Sequence, residues 1–119
     1  MDTRDKIVDI ARATEIARSG ATVVSGYFDP LISSMAERLA LIKQAALKQN
    51  GRSLLVLIRT PENAILPVRA RAQLVAGLQV VDFVCAEESG ITPSLDLDRT
   101  HAQQLAQLIA HVHARQQAK

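Results

Sequence analysis

The sequence predicts a three-layer α/β fold, with a parallel sheet of three or four strands and helices on both faces. Short apolar runs rich in β-branched residues, around Val23 and Val24 and at 53–59 and 80–86, alternate with segments whose apolar residues recur every three or four positions. The intervening segments are long enough for the helical crossovers that parallel strands require. An aromatic content of only 3%, with no Trp, leaves an aliphatic core suited to such a sheet.

Length and composition bound the class of protein. The 119 residues are predicted to form a single domain, 1–119, and 48% hydrophobic with 22% charged residues is ordinary globular composition. The net charge of +2 comes from 14 basic and 12 acidic residues spread along the chain, so no nucleic-acid partner is expected. Because no apolar stretch reaches 18 residues and no secretory signal is evident, we expect no membrane partner and a cytoplasmic location.

The first half of the chain is predicted to hold two helices around a strand. Residues 3–19 have the spacing of an amphipathic helix, which ends at Gly20. After the strand through Val23 and Val24, Ser33 or Ser34 is positioned to cap a second helix. That helix is expected to end at the sequence 49–51, Gln-Asn-Gly.

The second half is predicted to continue the alternation. A second strand over 53–59 is expected to lie beside the first, and a loop over 60–67 leads to a helix over 68–79 and a third strand over 80–86. Pro93 argues against a central strand at 91–97, but the alternation of Leu and Asp there permits a short edge strand. A last helix is predicted over 98–117.

The turn after the first predicted strand is the best candidate for a functional site. Gly26 provides backbone freedom at the carboxyl end of the strand, and Pro30 prevents its continuation. Phosphate groups bind where such a strand end meets the N-terminus of a helix. The run Gly26-Tyr27-Phe28-Asp29-Pro30 resembles the opening of the G-x-F-D-P-x-H-x-G-H motif of the nucleotidylyltransferase superfamily, which includes cytidylyltransferases and heptose-phosphate adenylyltransferases.

A second region supports this resemblance. Residues 66–82 are similar to the family's stretch in which a Pro opens a helix, an Arg follows, and the helix leads into a Val-Asp strand; Arg71 matches that Arg. The order of elements agrees over 5–88, about two-thirds of the chain, and implies a Rossmann-like arrangement that is truncated at its C-terminal end relative to the family. The family's later I-S-S-T-x-[KR] signature has no match.

The chain departs from the family at the two histidines of the motif. Ile32 and Met35 stand at these positions, and neither side chain can donate a hydrogen bond to a phosphate. We therefore expect a degenerate nucleotidylyltransferase-like domain without catalytic residues that retains nucleotide or phosphate binding. The expected binding residues are Gly26, Tyr27, Phe28, Asp29, Ser33, Ser34, Arg59 and Arg71.

Five of these residues also have a structural interpretation. In this interpretation Asp29 stabilises the turn by accepting backbone N–H groups, the two serines cap the helix, and both arginines lie at the solvated surface. Two other functions stay open: an active nucleotidyltransferase in which Arg59 or Arg71 acts with a magnesium-bound triphosphate, and a structural or interaction module. The resemblance also implies a homodimer, since relatives of this family commonly pair. No cofactor is expected beyond magnesium with a nucleotide, should activity remain.

The remaining reactive side chains point to no further chemistry. His101, His111 and His113 all fall on the last predicted helix, and the two-residue spacing of the latter pair directs them apart, so no metal site is expected. Cys85 has no disulfide partner and lies in an apolar run, where a buried core role is expected.

Overall fold

A five-stranded parallel sheet is the centre of the molecule. The computed structural model describes residues 3–50, 53–87 and 90–97. Its elements are a 3-10 helix Thr3–Lys6, β1 Ile7–Val8, α1 Ile10–Arg18, β2 Thr22–Gly26, α2 Ser33–Asn50, β3 Leu54–Ile58, α3 Val68–Ala76, β4 Phe83–Cys85 and β5 Leu95–Asp96. The strand order is β1-β4-β3-β2-β5, and each neighbouring pair is parallel. The order β4-β3-β2-β5 matches the 3-2-1-4 order of a Rossmann-like sheet, which confirms the predicted fold class.

The first predicted helix is wrong in its N-terminal part. Ile7 and Val8 form β1, which pairs with β4, so that the sheet has five strands instead of the predicted three or four. The reason is Asp9, whose side chain accepts a hydrogen bond from the backbone N–H of Arg12 (2.8 Å) and so begins α1 after the strand. α1 then ends before Gly20, as predicted, and Gly20 has the positive φ of 103° that favours glycine.

The start of α2 also differs from expectation. Ser33 is its first residue, so neither Ser33 nor Ser34 is the N-cap, and the carbonyl of Ile32 accepts the backbone N–H of Ala36 (3.1 Å). The predicted end holds, because α2 runs to Asn50. Ile32 takes the cap position, since its carbonyl accepts the backbone N–H groups of Met35 and Ala36 at the start of the helix.

The helix and strands from β3 to β5 occur where they were predicted, but each is shorter than its predicted range. β3 lies beside β2 in parallel, and the short edge strand β5 pairs with the other side of β2. α3 stops at Ala76, ahead of Gly77, and β4 begins only at Phe83, because a turn at 79–80 occupies the start of the predicted strand. The predicted helix over 98–117, with its three histidines, lies outside the described residues.

Alternation along the strands divides the core into two layers. One face of the sheet packs against α2 and α3 through a cluster that includes Val24, Leu39, Val56, Val75 and Val84. The opposite face packs against α1 through Ala13, Ile16, Val23, Leu55, Leu57 and Cys85. Helices therefore cover both faces. Cys85 is buried as expected, and this burial raises the pKa of its thiol.

Within the described ranges, no helix combines the length and the apolar character that a membrane crossing requires.

Candidate functional site

The carboxyl end of β2 lies at the point where the strand order reverses. From β2 the chain proceeds through α2 to β3 on one side, and after β4 it crosses back to place β5 on the other side. In open α/β sheets, ligands bind at such a switch point, in the crevice beyond the strand ends. β2 ends at Gly26, so the residues that follow it, up to the start of α2 at Ser33, form the candidate site.

Asp29 is used as a brace across this site. One carboxylate oxygen accepts the backbone N–H of Ile65 (2.6 Å), and the other accepts that of Leu66 (2.7 Å). The hydrogen bond from Ile65 is the main reason that the pKa of Asp29 lies below its ordinary value. The bond from Leu66 and the positive charge of Arg71 act in the same direction, against partial desolvation. Asp29 thus fixes the loop that precedes α3 against the turn that follows β2.

Arg71 is a second brace, and it is only 1% exposed. Its Nε donates to the carbonyl of Leu66 (3.0 Å), and its Nη1 donates to the carbonyls of Tyr27 (3.0 Å) and Arg59 (2.7 Å). Its Nη2 donates to the hydroxyl of Thr60 (3.2 Å). The guanidinium therefore joins the carboxyl ends of β2 and β3 to the segment that leads into α3.

Glycine is required at position 26 because an aromatic ring lies directly against it. A Cβ atom at this position would lie 2.6 Å from Cε2 of Phe28, whose side chain is fully buried. Phe28 itself has a φ of 51°, in the left-handed region, which folds the ring back over the end of β2. The peptide bond between Asp29 and Pro30 is cis. The Phe28 ring therefore occupies the space into which a side chain at position 26 would project.

The other predicted binding residues lie at the surface of the same end of the sheet. The side chains of Ser33, Ser34 and Arg59 are exposed, and that of Tyr27 is 40% exposed. Ile32, at a position of a family histidine, is 43% exposed. The structure thus joins Tyr27, Asp29, Arg59 and Arg71 through one network of backbone and side-chain contacts, while the two serines stand at the first turn of α2.

Ser25 is a feature of the site that sequence reasoning missed. Its hydroxyl is fully buried and has no hydrogen-bond partner among the described residues. It precedes Gly26 in β2 and is in register with Asp96 of β5 and Leu57 of β3, beside the switch point. A serine within an otherwise apolar strand was the available signal, because a buried hydroxyl normally has a partner.

The loop over 60–67 was predicted to lie near the ligand side. The sequence did not indicate that this loop forms hydrogen bonds with both Asp29 and Arg71. In the described part of the chain, no three His, Cys, Asp or Glu side chains are grouped so as to hold a metal ion.

In comparisons with known proteins, no family model matches the chain, and no curated protein matches it. The likeness to nucleotidylyltransferases accordingly rests on the motif residues themselves.

Proposed function

We propose that the protein is a nucleotidylyltransferase-like domain that binds a nucleotide or its phosphates beside the carboxyl end of β2 and has lost transfer activity. One observation carries this proposal: the strand, turn and helix that contain Gly26, Asp29 and Ser33 lie at the topological switch point of a Rossmann-like parallel sheet. The resemblance of this turn to the family motif names nucleotides as the ligand class.

The first turn of α2 provides the chemistry for an anion. The 18 residues of this helix place a partial positive charge at its N-terminus, where the backbone N–H groups of the first residues have no partner within the helix. Ser33 and Ser34 are exposed there and add hydroxyl donors.

Loss of transfer activity is inferred from two features. Apolar residues replace the two histidines of the motif, and one expected donor is already bonded within the protein. Ile32 and Met35 offer no hydrogen bond to charge that develops on a phosphate, and such preorganised donors commonly supply several kcal/mol of transition-state stabilisation, about 2.7–4 kcal/mol for one donor. Arg71 already donates to four groups of the protein and is sealed from solvent. Of the two arginines considered for the active alternative, only Arg59 is exposed.

A thermal-shift and calorimetric titration with ATP and CTP, with and without magnesium, tests this proposal. Occupancy at a hundred times the dissociation constant should stabilise the fold by about 2.7 kcal/mol. Ser34→Glu is the sharpest variant, because a carboxylate in the first turn favours the helix but repels a phosphate. We expect Ser34→Glu to weaken binding at least about tenfold, whereas the matched neutral variant Ser34→Gln retains it.

Two outcomes would each contradict one part of the proposal. Absence of a shift at millimolar ATP and CTP would reject retained nucleotide binding. Release of pyrophosphate from either triphosphate would reject the loss of catalysis and favour the active alternative. Homodimer formation stays a separate prediction, for which sedimentation equilibrium is the measurement.

A further inference from the structure

A cavity lies at the β1 edge of the sheet, away from the candidate nucleotide site. It has a volume of about 390 Å³ and opens beside the carboxyl ends of the edge strand β1 and its neighbour β4, against the first half of α3. β3 separates β4 from β2 in the sheet, so this cavity and the β2 turn are distinct places. Its size falls within the range of about 300–1,000 Å³ typical of small-molecule sites. We call it the edge cavity.

The edge cavity has an apolar floor. Ala72 of α3 is fully buried, and Ile7, Val68 and Ala86 are partly buried and pack against the core. This floor consists of small and branched aliphatic side chains, without an aromatic ring. It therefore suits the aliphatic part of a ligand rather than a nucleobase.

The rim of the edge cavity carries both signs of charge. Asp9 and Glu87 lie on one side of it, and Arg69 and Gln73 of α3 on the other, all four exposed. Among the described residues, no ion pair joins Arg69 to either carboxylate, although all three line the same cavity. Opposite charges that face one cavity without pairing are complementary to a ligand that carries both.

The two carboxylates are held in place by α1. Oδ1 of Asp9 accepts the backbone N–H of Arg12 (2.8 Å), and Oε2 of Glu87 accepts the backbone N–H of Ile10 (3.2 Å). Each bond uses one oxygen and, within the described residues, leaves the other without a hydrogen-bond donor. The acceptors of the rim are thus positioned before any ligand arrives, which lowers the cost of binding.

We propose that the edge cavity binds a small zwitterion with an aliphatic body, such as an aliphatic α-amino acid. The ammonium group is recognised by Asp9 and Glu87, the carboxylate by Arg69 and Gln73, and the aliphatic side chain by the floor that Ala72 and Val68 form. This site is independent of the nucleotide site, so either proposal can fail alone.

Calorimetric titration of the folded protein with L-leucine tests the assignment. We expect saturable binding, and we expect isoamylamine and 4-methylpentanoate, which each lack one charge, to bind at least about tenfold more weakly. Arg69→Gln and Glu87→Gln should each weaken leucine binding to a similar extent. Glutamine at 87 keeps an oxygen for the N–H of Ile10, so the start of α1 is preserved.

Matched variants outside the edge cavity provide the controls. Arg18→Gln and Glu62→Gln alter exposed charges of the same types and should leave leucine affinity unchanged. The proposal is overturned if leucine shows no saturable binding up to about 50 mM, a concentration at which even a site of millimolar affinity would be filled. It is equally overturned if binding occurs but neither Arg69→Gln nor Glu87→Gln changes it.

Discussion

Two charged side chains hold the opposite ends of the sheet, and they do so in different environments. At the carboxyl end, Arg71 is 1% exposed and donates mainly to backbone carbonyls. At the amino end, Asp82 accepts the backbone N–H of Leu54 (2.7 Å) and pairs with Lys43 (2.5 Å), with its side chain 35% exposed.

The difference shows how the candidate site is built. Arg71 was expected to bind phosphate, yet it donates hydrogen bonds to the ends of β2 and β3 and to the loop before α3. The amino end, where no ligand is expected, uses an ion pair that remains in contact with water. The carboxyl end is therefore held together by a buried side chain, and its exposed donors include Arg59 after β3 and the two serines at the start of α2.

Arg71→Ala should have the largest effect. It leaves three carbonyls without their shared donor in a buried place, and we expect a loss of about 3–5 kcal/mol in the free energy of unfolding. Urea denaturation is the measurement. Arg69→Ala, an exposed arginine of the same helix, should stay within about 0.5 kcal/mol. A loss below about 1 kcal/mol for Arg71→Ala would contradict its role as a brace.

Gly26→Ala should be the next most costly change. The new Cβ would meet the buried ring of Phe28 at 2.6 Å, and we expect a loss of about 1–3 kcal/mol. Gly90→Ala is the control, because a Cβ there meets nothing within 4 Å. In a Phe28→Leu background the penalty of Gly26→Ala should shrink, as a double-mutant cycle would measure. Equal penalties in both backgrounds would show that the ring is not the cause.

Lys43→Met tests the brace at the amino end. Because Asp82 is partly exposed and also bonded to Leu54, we expect a loss of only about 1 kcal/mol, reduced further by salt. Lys48→Met, at an exposed position of the same helix, should change stability less. Urea denaturation at low and high ionic strength makes the comparison. A loss as large as that of Arg71→Ala would remove the contrast between the two ends.

Asp29 should contribute the smallest effect, visible in acid. Its pKa is lower in the folded chain than its ordinary value of 3.8, so the ionised form stabilises the fold. That contribution is complete above the ordinary pKa and is lost as the pH falls through the lower, folded value. Asp29→Asn should therefore flatten the decline of stability below about pH 4. Identical acid profiles for the two proteins would contradict this.

Much of the fold could be predicted because local patterns decided it. The apolar runs at β2 and β3 indicate buried strands, and the glycine after α1 indicates the end of a helix. β1 could not be predicted, since Ile7 and Val8 fit helical spacing equally well and their pairing with Val84 and Cys85 is distant in the chain.

The site was predictable in position but not in detail. Gly26 and Pro30 marked the strand end, whereas the partners of Arg71 lie up to 44 residues away, at Tyr27. Which donors face a ligand and which face the protein depends on such long-range contacts. The charges around the edge cavity come from α3 and from the ends of β1 and β4, so no short motif marked them.

A nucleotide site at the switch point is tested most directly by mapping ATP and CTP binding on the backbone N–H resonances by NMR. We expect the largest shifts at residues 26–36, around the end of β2 and the first turn of α2, and we expect Ser34→Glu to remove them while the fold persists. Shifts confined to the edge cavity, or no shifts at saturating nucleotide, would contradict a nucleotide site at the switch point.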